Sequence, residues 1–208
     1  MTWLLLGGLA AAFAWGQLLP PADRDAWVVA TGLVPSAFSW SRALTATMVH
    51  AGWLAAAGSL GALWLFGPAL EDRLGHLRFL GVVAAGSLLA ARAAAVPDPS
   101  GVLPIVGAAG LIGTVAGGYL GLFPTSRVLV LVPLPWLFDA VELPAFFFVG
   151  VWMAMQILGG AGSQVSPGTA ALVVMCEALA GAAIGLLGAR WLVRRERLNP
   201  SWWGSGLG

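Results

Sequence analysis

Apolar residues along this chain fall into six long runs, separated by short segments rich in proline, glycine and charged residues. The runs cover residues 2–19, 43–66, 77–95, 102–123, 143–158 and 169–193. A helix that crosses the hydrocarbon core of a bilayer needs roughly 20 apolar residues. Strands are excluded as spanning elements, because an open sheet edge in lipid leaves backbone groups unpaired. The pattern therefore predicts an all-α, polytopic membrane protein with six transmembrane helices. The first run lacks the positively charged start of a signal peptide, so we expect it to be retained.

Arginine placement predicts the orientation of these six spans, which put both termini on one side. One set of segment ends carries Arg73, Arg78, Arg127, Arg190, Arg194, Arg195 and Arg197. The other set carries Arg24, Arg42 and Arg92. Because basic residues accumulate in cytoplasmic segments, we expect cytoplasmic termini in a bacterial inner membrane. Residues 1–193 would form the membrane domain, with 20–42 as an outer interfacial loop, and 194–208 a short cytoplasmic tail.

Composition supports a membrane protein and excludes several other classes. Hydrophobic residues make up 59% of the 208 residues and charged residues 9%, whereas soluble domains carry about a quarter charged residues. The net charge of +1, without any lysine, gives no basic patch for nucleic acid. The single cysteine, Cys176, excludes an intrachain disulfide. We expect membrane lipids as partners, and no cofactor or metal.

Several motifs resemble the rhomboid family of intramembrane serine proteases. Residues 42–59 read RALTATMVHAGWLAAAGS, close to the family's His-Ala-Gly-Trp-Leu-His-Leu-Leu-Gly-Asn, and residues 65–75 resemble its Phe-Gly-x-x-x-Glu-x-x-x-Gly turn after the second helix. Residues 107–110 resemble Gly-Ala-Ser-Gly, and residues 178–185 resemble His-x-x-Gly-x-x-x-Gly. The resemblance extends from about residue 34 to residue 193 and implies a six-helix rhomboid-like bundle. It implies structural roles for Arg42, His50, Gly52, Trp53, Gly67, Glu71, Arg73, Gly75, Gly107, Gly110, Gly181 and Gly185.

The resemblance also implies that the family's catalytic side chains are replaced. Ala109 stands at the position of the serine nucleophile and Ala178 at that of the histidine base. Ala55 and Ser59 stand where the family has a second histidine and an asparagine on the oxyanion side. A serine is a poor nucleophile without a base to take its proton. We therefore expect no protease activity by the family's mechanism. We expect His50, which resembles a family histidine outside the dyad, to be a satisfied structural residue.

Small residues at helical spacing predict close packing of the fourth and sixth helices. Ala109, Gly113, Gly117 and Gly121 form one stripe, and Gly181, Gly185 and Ala189 form another. Small residues allow membrane helices to approach closely. We expect the two stripes to pack against each other.

Glu177 is the most unusual residue of the apolar runs. It lies about 12 Å into the last run, at 1.5 Å per residue, where a carboxylate normally faces the bundle interior. Its spacing to Gly181 places it on the small-residue stripe, at the level of Ala109. Two interpretations stand side by side: a hydrogen bond to a hydroxyl such as that of Ser59 or Thr114, or a functional handle in a polar pocket formed by these three residues.

Three functions are compatible with these features. The first is a non-catalytic rhomboid-like protein that keeps the family's lateral gate and recognises transmembrane segments of client proteins. The second is an intramembrane serine-type peptidase with a relocated active site, for which Glu177 with Ser59 or Thr114 is the one plausible arrangement. The third is a small transporter with a polar path around Glu177.

Overall fold

Eight α-helices and one β-hairpin make up the structure, a computed structural model that describes residues 1–50, 52–134, 137–160 and 167–193. In chain order the elements are α1 (Thr2–Leu18), α2 (Pro21–Thr31), α3 (Trp40–Ala46), α4 (Trp53–Leu74), α5 (His76–Ala94), α6 (Ala109–Leu122), β1 (Arg127–Leu134), β2 (Leu137–Pro144), α7 (Ala145–Gly160) and α8 (Pro167–Leu192).

Each of the six apolar runs contains one long apolar helix. Helices α4, α5 and α8 are long and apolar enough to cross a membrane. Helices α1, α6 and α7 are also apolar but shorter, with 17, 14 and 16 residues. The predicted fold class, a helical membrane protein, is confirmed, and the six apolar helices are compatible with six spans.

The second apolar run is not one helix, as predicted, but two. Helix α3 ends at Ala46, and α4 begins only after Gly52, whose backbone is extended. Helix α4 then continues to Leu74, so the expected turn after residue 65 is wrong: residues 67–74 are helical. The turn lies at Gly75, which has a φ of +82° and donates its N–H to the Glu71 carbonyl at 2.7 Å. Glycine is favoured there because other residues rarely adopt positive φ.

The fourth run also becomes helical later than predicted, at Ala109. Residues before it form backbone contacts with the α2–α3 region instead. Leu33 and Ile105 exchange hydrogen bonds of 2.9 and 2.7 Å, and the Gly107 N–H bonds the Ala46 carbonyl at 3.1 Å. Gly107 has a φ of +140°, which turns the chain into α6.

The predicted interfacial loop over residues 20–42 is largely helical, as α2, a short 3-10 turn and the start of α3. Arg24 joins α2 to α1 by donating its Nε–H to the Gly16 carbonyl at 2.7 Å. Trp27 packs against Gly16, whose missing side chain leaves room for the indole. These contacts hold α2 against the end of α1.

The hairpin between α6 and α7 was not predicted. Strands β1 and β2 pair antiparallel, from Arg127 opposite Pro144 to Leu134 opposite Leu137. The hairpin joins two helix ends and does not replace a span. The described residues do not include the predicted tail, residues 194–208. They also do not include residues 161–166, which precede α8.

Helix α6 occupies the centre of the bundle. Every residue from Ala109 to Gly118 is buried, as expected for a helix that is apolar all round and surrounded by others. Helices α4, α5 and α8 pack around it. The packing defines two ends: the α2 end carries α2, α3 and residues 95–108, and the hairpin end carries Gly75 and the β-hairpin.

Arginines at the hairpin end bind helix ends there. The Arg73 guanidinium lies 5.1 Å from the centre of the Phe123 ring. Arg78 donates to the Leu192 carbonyl at 2.9 Å, and Arg190 to the Gly121 carbonyl at 3.3 Å. These carbonyls belong to helix C-termini, where a cation is favourable. Which side of a membrane this end faces stays a prediction.

Candidate functional site

Helices α6 and α8 pack so closely that their backbones touch. A Cβ atom placed on Gly117 would lie 2.6 Å from the Cα of Ala182, and one on Gly185 would lie 2.7 Å from the carbonyl carbon of Thr114. Carbon atoms normally pack at about 3.5–4.0 Å, so neither position accepts a larger residue without moving a helix.

The pairing of the two helices differs in detail from the predicted stripes. Gly113, Gly117 and Gly121 face a row of α8 that runs through Ala178, Ala182 and Leu186, rather than the predicted row. Gly181 and Gly185 instead face Gly110 and Thr114. The difference arises because each helix presents two neighbouring rows of residues to the other. Contacts advance along both helices in the same direction, so α6 and α8 are parallel.

Ala109 and Ala178 lie on these two facing helices. Ala109 is the first residue of α6 and is 4% exposed, and Ala178 is fully buried on α8. The Ala178 backbone lies directly against Gly113, one turn along α6 from Ala109. Both side chains are methyl groups, which neither donate nor accept protons.

Glu177 is buried beside Ala178, and its carboxyl points at the start of α6. Its side chain is 6% exposed, and Oε1 accepts the backbone N–H of Gly110 at 3.1 Å. Gly110 is the second residue of α6, so its N–H has no acceptor within the helix. The carboxyl therefore caps the N-terminus of α6. Glu177 therefore lies on the face of α8 that meets α6, as its spacing to Gly181 predicts.

The partner that the sequence suggested for Glu177 is wrong, because neither hydroxyl reaches it. Thr114 donates its Oγ1–H to the Gly110 carbonyl at 2.7 Å, one turn back on its own helix. Ser59 is fully buried on α4, and its Oγ has no hydrogen-bond partner among the described residues. Glu177 and Thr114 therefore meet at the Gly110 peptide groups, whereas the Ser59 hydroxyl forms no hydrogen bond to them among the described residues.

His50 lies between α3 and α4. It is 8% exposed, its ring meets that of Phe13 edge-on at 6.4 Å, and burial lowers the pKa of its imidazole. A backbone hydrogen bond at Met48 acts in the opposite direction on that pKa. That His50 is a satisfied structural residue therefore stays a prediction. Trp53, at the start of α4, packs on the other side of Phe13 at 4.8 Å, and Ala55 is half-buried one half-turn later.

The motif residues of the α4 C-terminus lie at the hairpin end, where Glu71 joins three chain segments. Its carboxylate accepts the Met1 amine, the Thr2 backbone N–H at 2.7 Å and the His76 imidazole. Gly67, one turn earlier, leaves the space that Thr2 fills. The motif thus holds α1 and the start of α5 against α4. Arg42, at the other end, is half-buried in α3.

A seam between α4 and α7 contains unsatisfied polar groups. Trp152 on α7 is 6% exposed, and a Cβ atom on Gly58 of α4 would lie 3.6 Å from its indole nitrogen. That Nε1–H has no acceptor among the described residues. The hydroxyl of Ser59, which is fully buried on α4, also lacks a partner there. A buried polar group without a partner costs about 1–3 kcal/mol, so an acceptor for the Trp152 indole would be favourable at this seam.

Within the described ranges, no group of three or more histidine, cysteine, aspartate or glutamate side chains lies close enough to hold a metal ion.

The helices and the glycine-packed α6–α8 contact define a helical integral membrane protein. A family model described as the Rhomboid domain matches residues 37–195, about three quarters of the chain. The protein belongs to the rhomboid family, which confirms the family resemblance of the sequence motifs. A search of curated proteins found no match to this chain.

Two residues of interest, Trp152 and Asp98, did not stand out in the sequence. Trp152 is one of eleven tryptophans, most of which are explained by an aromatic belt. Asp98 belongs to a Pro-Asp-Pro-Ser segment that reads as an ordinary turn. Their environments depend on packing between distant segments.

Proposed function

We propose that this rhomboid-family protein binds transmembrane segments of client proteins without cleaving them. The observation that carries this proposal is the chemistry at the α6–α8 contact. The positions that resemble the family's nucleophile and base are Ala109 and Ala178, and the nearest ionisable group, Glu177, is bonded to Gly110.

A relocated hydrolase finds little support in the same geometry. General base catalysis requires a base within hydrogen-bond reach of the nucleophile. The Thr114 hydroxyl donates to the Gly110 carbonyl, while Glu177 accepts from the Gly110 N–H. Each group therefore has its own partner on the Gly110 backbone, and neither activates the other.

The α4–α7 seam is the surface that we assign to the client. A transmembrane segment has few ways to gain specificity in lipid other than close packing and hydrogen bonds. The seam offers both: Gly58 provides a place without a side chain, and the Trp152 indole lacks an acceptor among the described residues. A client with a small, hydroxyl-bearing residue would bring a hydrogen-bonding group to that indole.

Reconstituted protein and a labelled single-span rhomboid substrate test client binding by fluorescence energy transfer in lipid nanodiscs. We expect saturable binding that Gly58→Leu weakens at least tenfold, because the added side chain fills the seam beside Trp152. Gly61→Leu is the matched control, since a Cβ atom at Gly61 has nothing within 4 Å. Equal binding by the two variants, or no saturable binding at all, would contradict the proposal.

The same preparations test for catalysis. We expect no cleavage of the substrate and no labelling by a fluorophosphonate probe, and Ala109→Ser alone should not restore either, because the new hydroxyl has no base. Labelling that disappears in Ser59→Ala or Thr114→Val would establish the relocated hydrolase instead. Proton or solute flux in liposomes that disappears in Glu177→Gln would establish the transporter.

A further inference from the structure

A second candidate site lies at the α2 end, in a cleft of about 310 Å³ between the segment after α5 and the first turns of α8. Its walls are mostly apolar and include Ala94, Ile105 and Val173. Its polar lining residues are Asp98, Ser100 and Thr169. Small-molecule sites commonly have this size and this combination of apolar walls with a few polar groups.

Asp98 supplies a negative charge to this cleft. Its Oδ1 accepts a long hydrogen bond of 3.4 Å from the Ser100 hydroxyl. The ion pairs among the described residues do not include Asp98. Arg92, a nearby cation in the sequence, instead lies over the Phe38 ring at 5.5 Å from its centre. Of the described residues that line the cleft, Asp98 alone is charged.

A second, smaller cavity shares two lining residues with the cleft. Ala94 and Ile105 also line this cavity of about 10 Å³, and Glu177 lines it as well. Such a cavity has room for about one water molecule, so an aliphatic arm fits the cleft but not the smaller cavity.

We propose that this cleft binds a primary ammonium or guanidinium group carried on a short aliphatic arm. The cation pairs with the Asp98 carboxylate, because hydrogen bonds between ionised groups are about twice as strong as neutral ones. The arm lies along Ile105 and Val173. A lysine or arginine side chain of a peptide and the amine headgroup of a lipid both carry this chemistry. The site is separate from the α4–α7 seam and does not depend on client binding there.

Titration of hexylammonium into protein in phosphatidylcholine nanodiscs tests the site, with hexanol as the neutral comparator and empty nanodiscs as the blank. We expect saturable binding of the amine only. Asp98→Asn should weaken it about tenfold or more. Asp25→Asn, the same change at an exposed position of α2, should not alter it.

A steric pair tests the position of the arm. Val173→Phe fills the cleft, because Val173 is 8% exposed and lines it, whereas its neighbour Leu172 is 53% exposed. We expect Val173→Phe to abolish binding and Leu172→Phe to preserve it.

Competition with hexylammonium then identifies which natural ligand supplies the cation. Displacement of hexylammonium by a lysine-containing peptide, but not by its norleucine analogue, indicates a peptide side chain. Displacement on replacing phosphatidylcholine by phosphatidylethanolamine indicates a lipid headgroup, and either result supports the site. Unsaturable uptake equal to that of hexanol, or equal binding by the Asp98→Asn and Asp25→Asn proteins, would overturn the proposal. Client binding measured in the same Asp98→Asn protein keeps failure of this site distinct from failure of the seam.

Discussion

Replacing Glu177 separates a structural role of its carboxyl from a functional one. Glu177→Gln keeps a carbonyl oxygen that can accept the Gly110 N–H, so we expect it to lower the free energy of unfolding by about 1 kcal/mol or less. Glu177→Ala removes the acceptor and leaves a buried N–H unpaired at the start of α6. The alanine variant should therefore be the more damaging of the two.

The size of the alanine effect follows from two contributions. A buried donor without a partner costs about 1–3 kcal/mol, and the lost Cγ methylene adds about 0.8 kcal/mol. The sum is roughly 2–4 kcal/mol. At about 2–4 °C per kcal/mol for a chain of this length, the melting temperature should fall by roughly 4–16 °C.

Thermal denaturation of the purified variants in one detergent measures this difference. Glu142→Ala is the control, because the Glu142 side chain is 59% exposed and its ion pair with Arg127 spans 3.4 Å at the surface. We expect that variant to melt within about 2 °C of the parent, as exposed ion pairs contribute little. An alanine variant at 177 that melts like Glu142→Ala would refute the capping role, and a glutamine variant as damaged as alanine would show that charge, not the acceptor, matters.

Client binding by the Glu177→Gln protein addresses function. Because the carboxyl is 6% exposed and bonded to Gly110, away from the α4–α7 seam, we expect unchanged affinity. A protein that melts normally but loses the client would assign Glu177 to recognition.

The remaining predictions concern packing, the hairpin end and orientation. Gly117→Ala should lower the free energy of unfolding by about 1–3 kcal/mol, since its Cβ would overlap Ala182; Gly61→Ala, with open space around it, should match or exceed the parent in melting temperature. Glu71→Ala should cost at least about 2 kcal/mol because it removes the acceptor for the Thr2 N–H and His76, and a melting curve like that of the parent would contradict this. A reporter fused after the last helix should be active in the cytoplasm, and a translocated reporter would exclude the predicted orientation.

The sequence predicted the helices well because lipid imposes one strong requirement, long apolar segments with their backbone bonds satisfied internally. It failed where distant backbone contacts decide the conformation. Residues 105–107 are apolar enough for a helix, yet they bond to Leu33 and Ala46 and delay α6 until Ala109. The hairpin depends on strand pairing across a turn, which no apolar run reveals.

The position of Glu177 was predictable, but its partner was not. Spacing to Gly181 placed it on the face of α8 that meets α6. The partner is the backbone N–H of Gly110. This N–H is available because α6 begins at Ala109, so Gly110 lies in the first turn and has no acceptor within the helix. The sequence predicted a helix that begins at residue 102. In such a helix the Gly110 N–H would bond within the helix, so only hydroxyl groups would remain as partners for Glu177. One misplaced boundary therefore changed the predicted chemistry of the site.

The packing of α6 on α8 connects the replaced residues with the proposed function. A hydrolytic site needs room for a nucleophile, a base and water, but here methyl groups at 109 and 178 accompany backbone contact between the helices. The acidic group that remains, Glu177, is bonded to the first turn of α6 and so stabilises this closed contact. Elsewhere, the Trp152 indole at the α4–α7 seam lacks an acceptor among the described residues. These two observations are the grounds on which we propose recognition of a membrane segment rather than its hydrolysis.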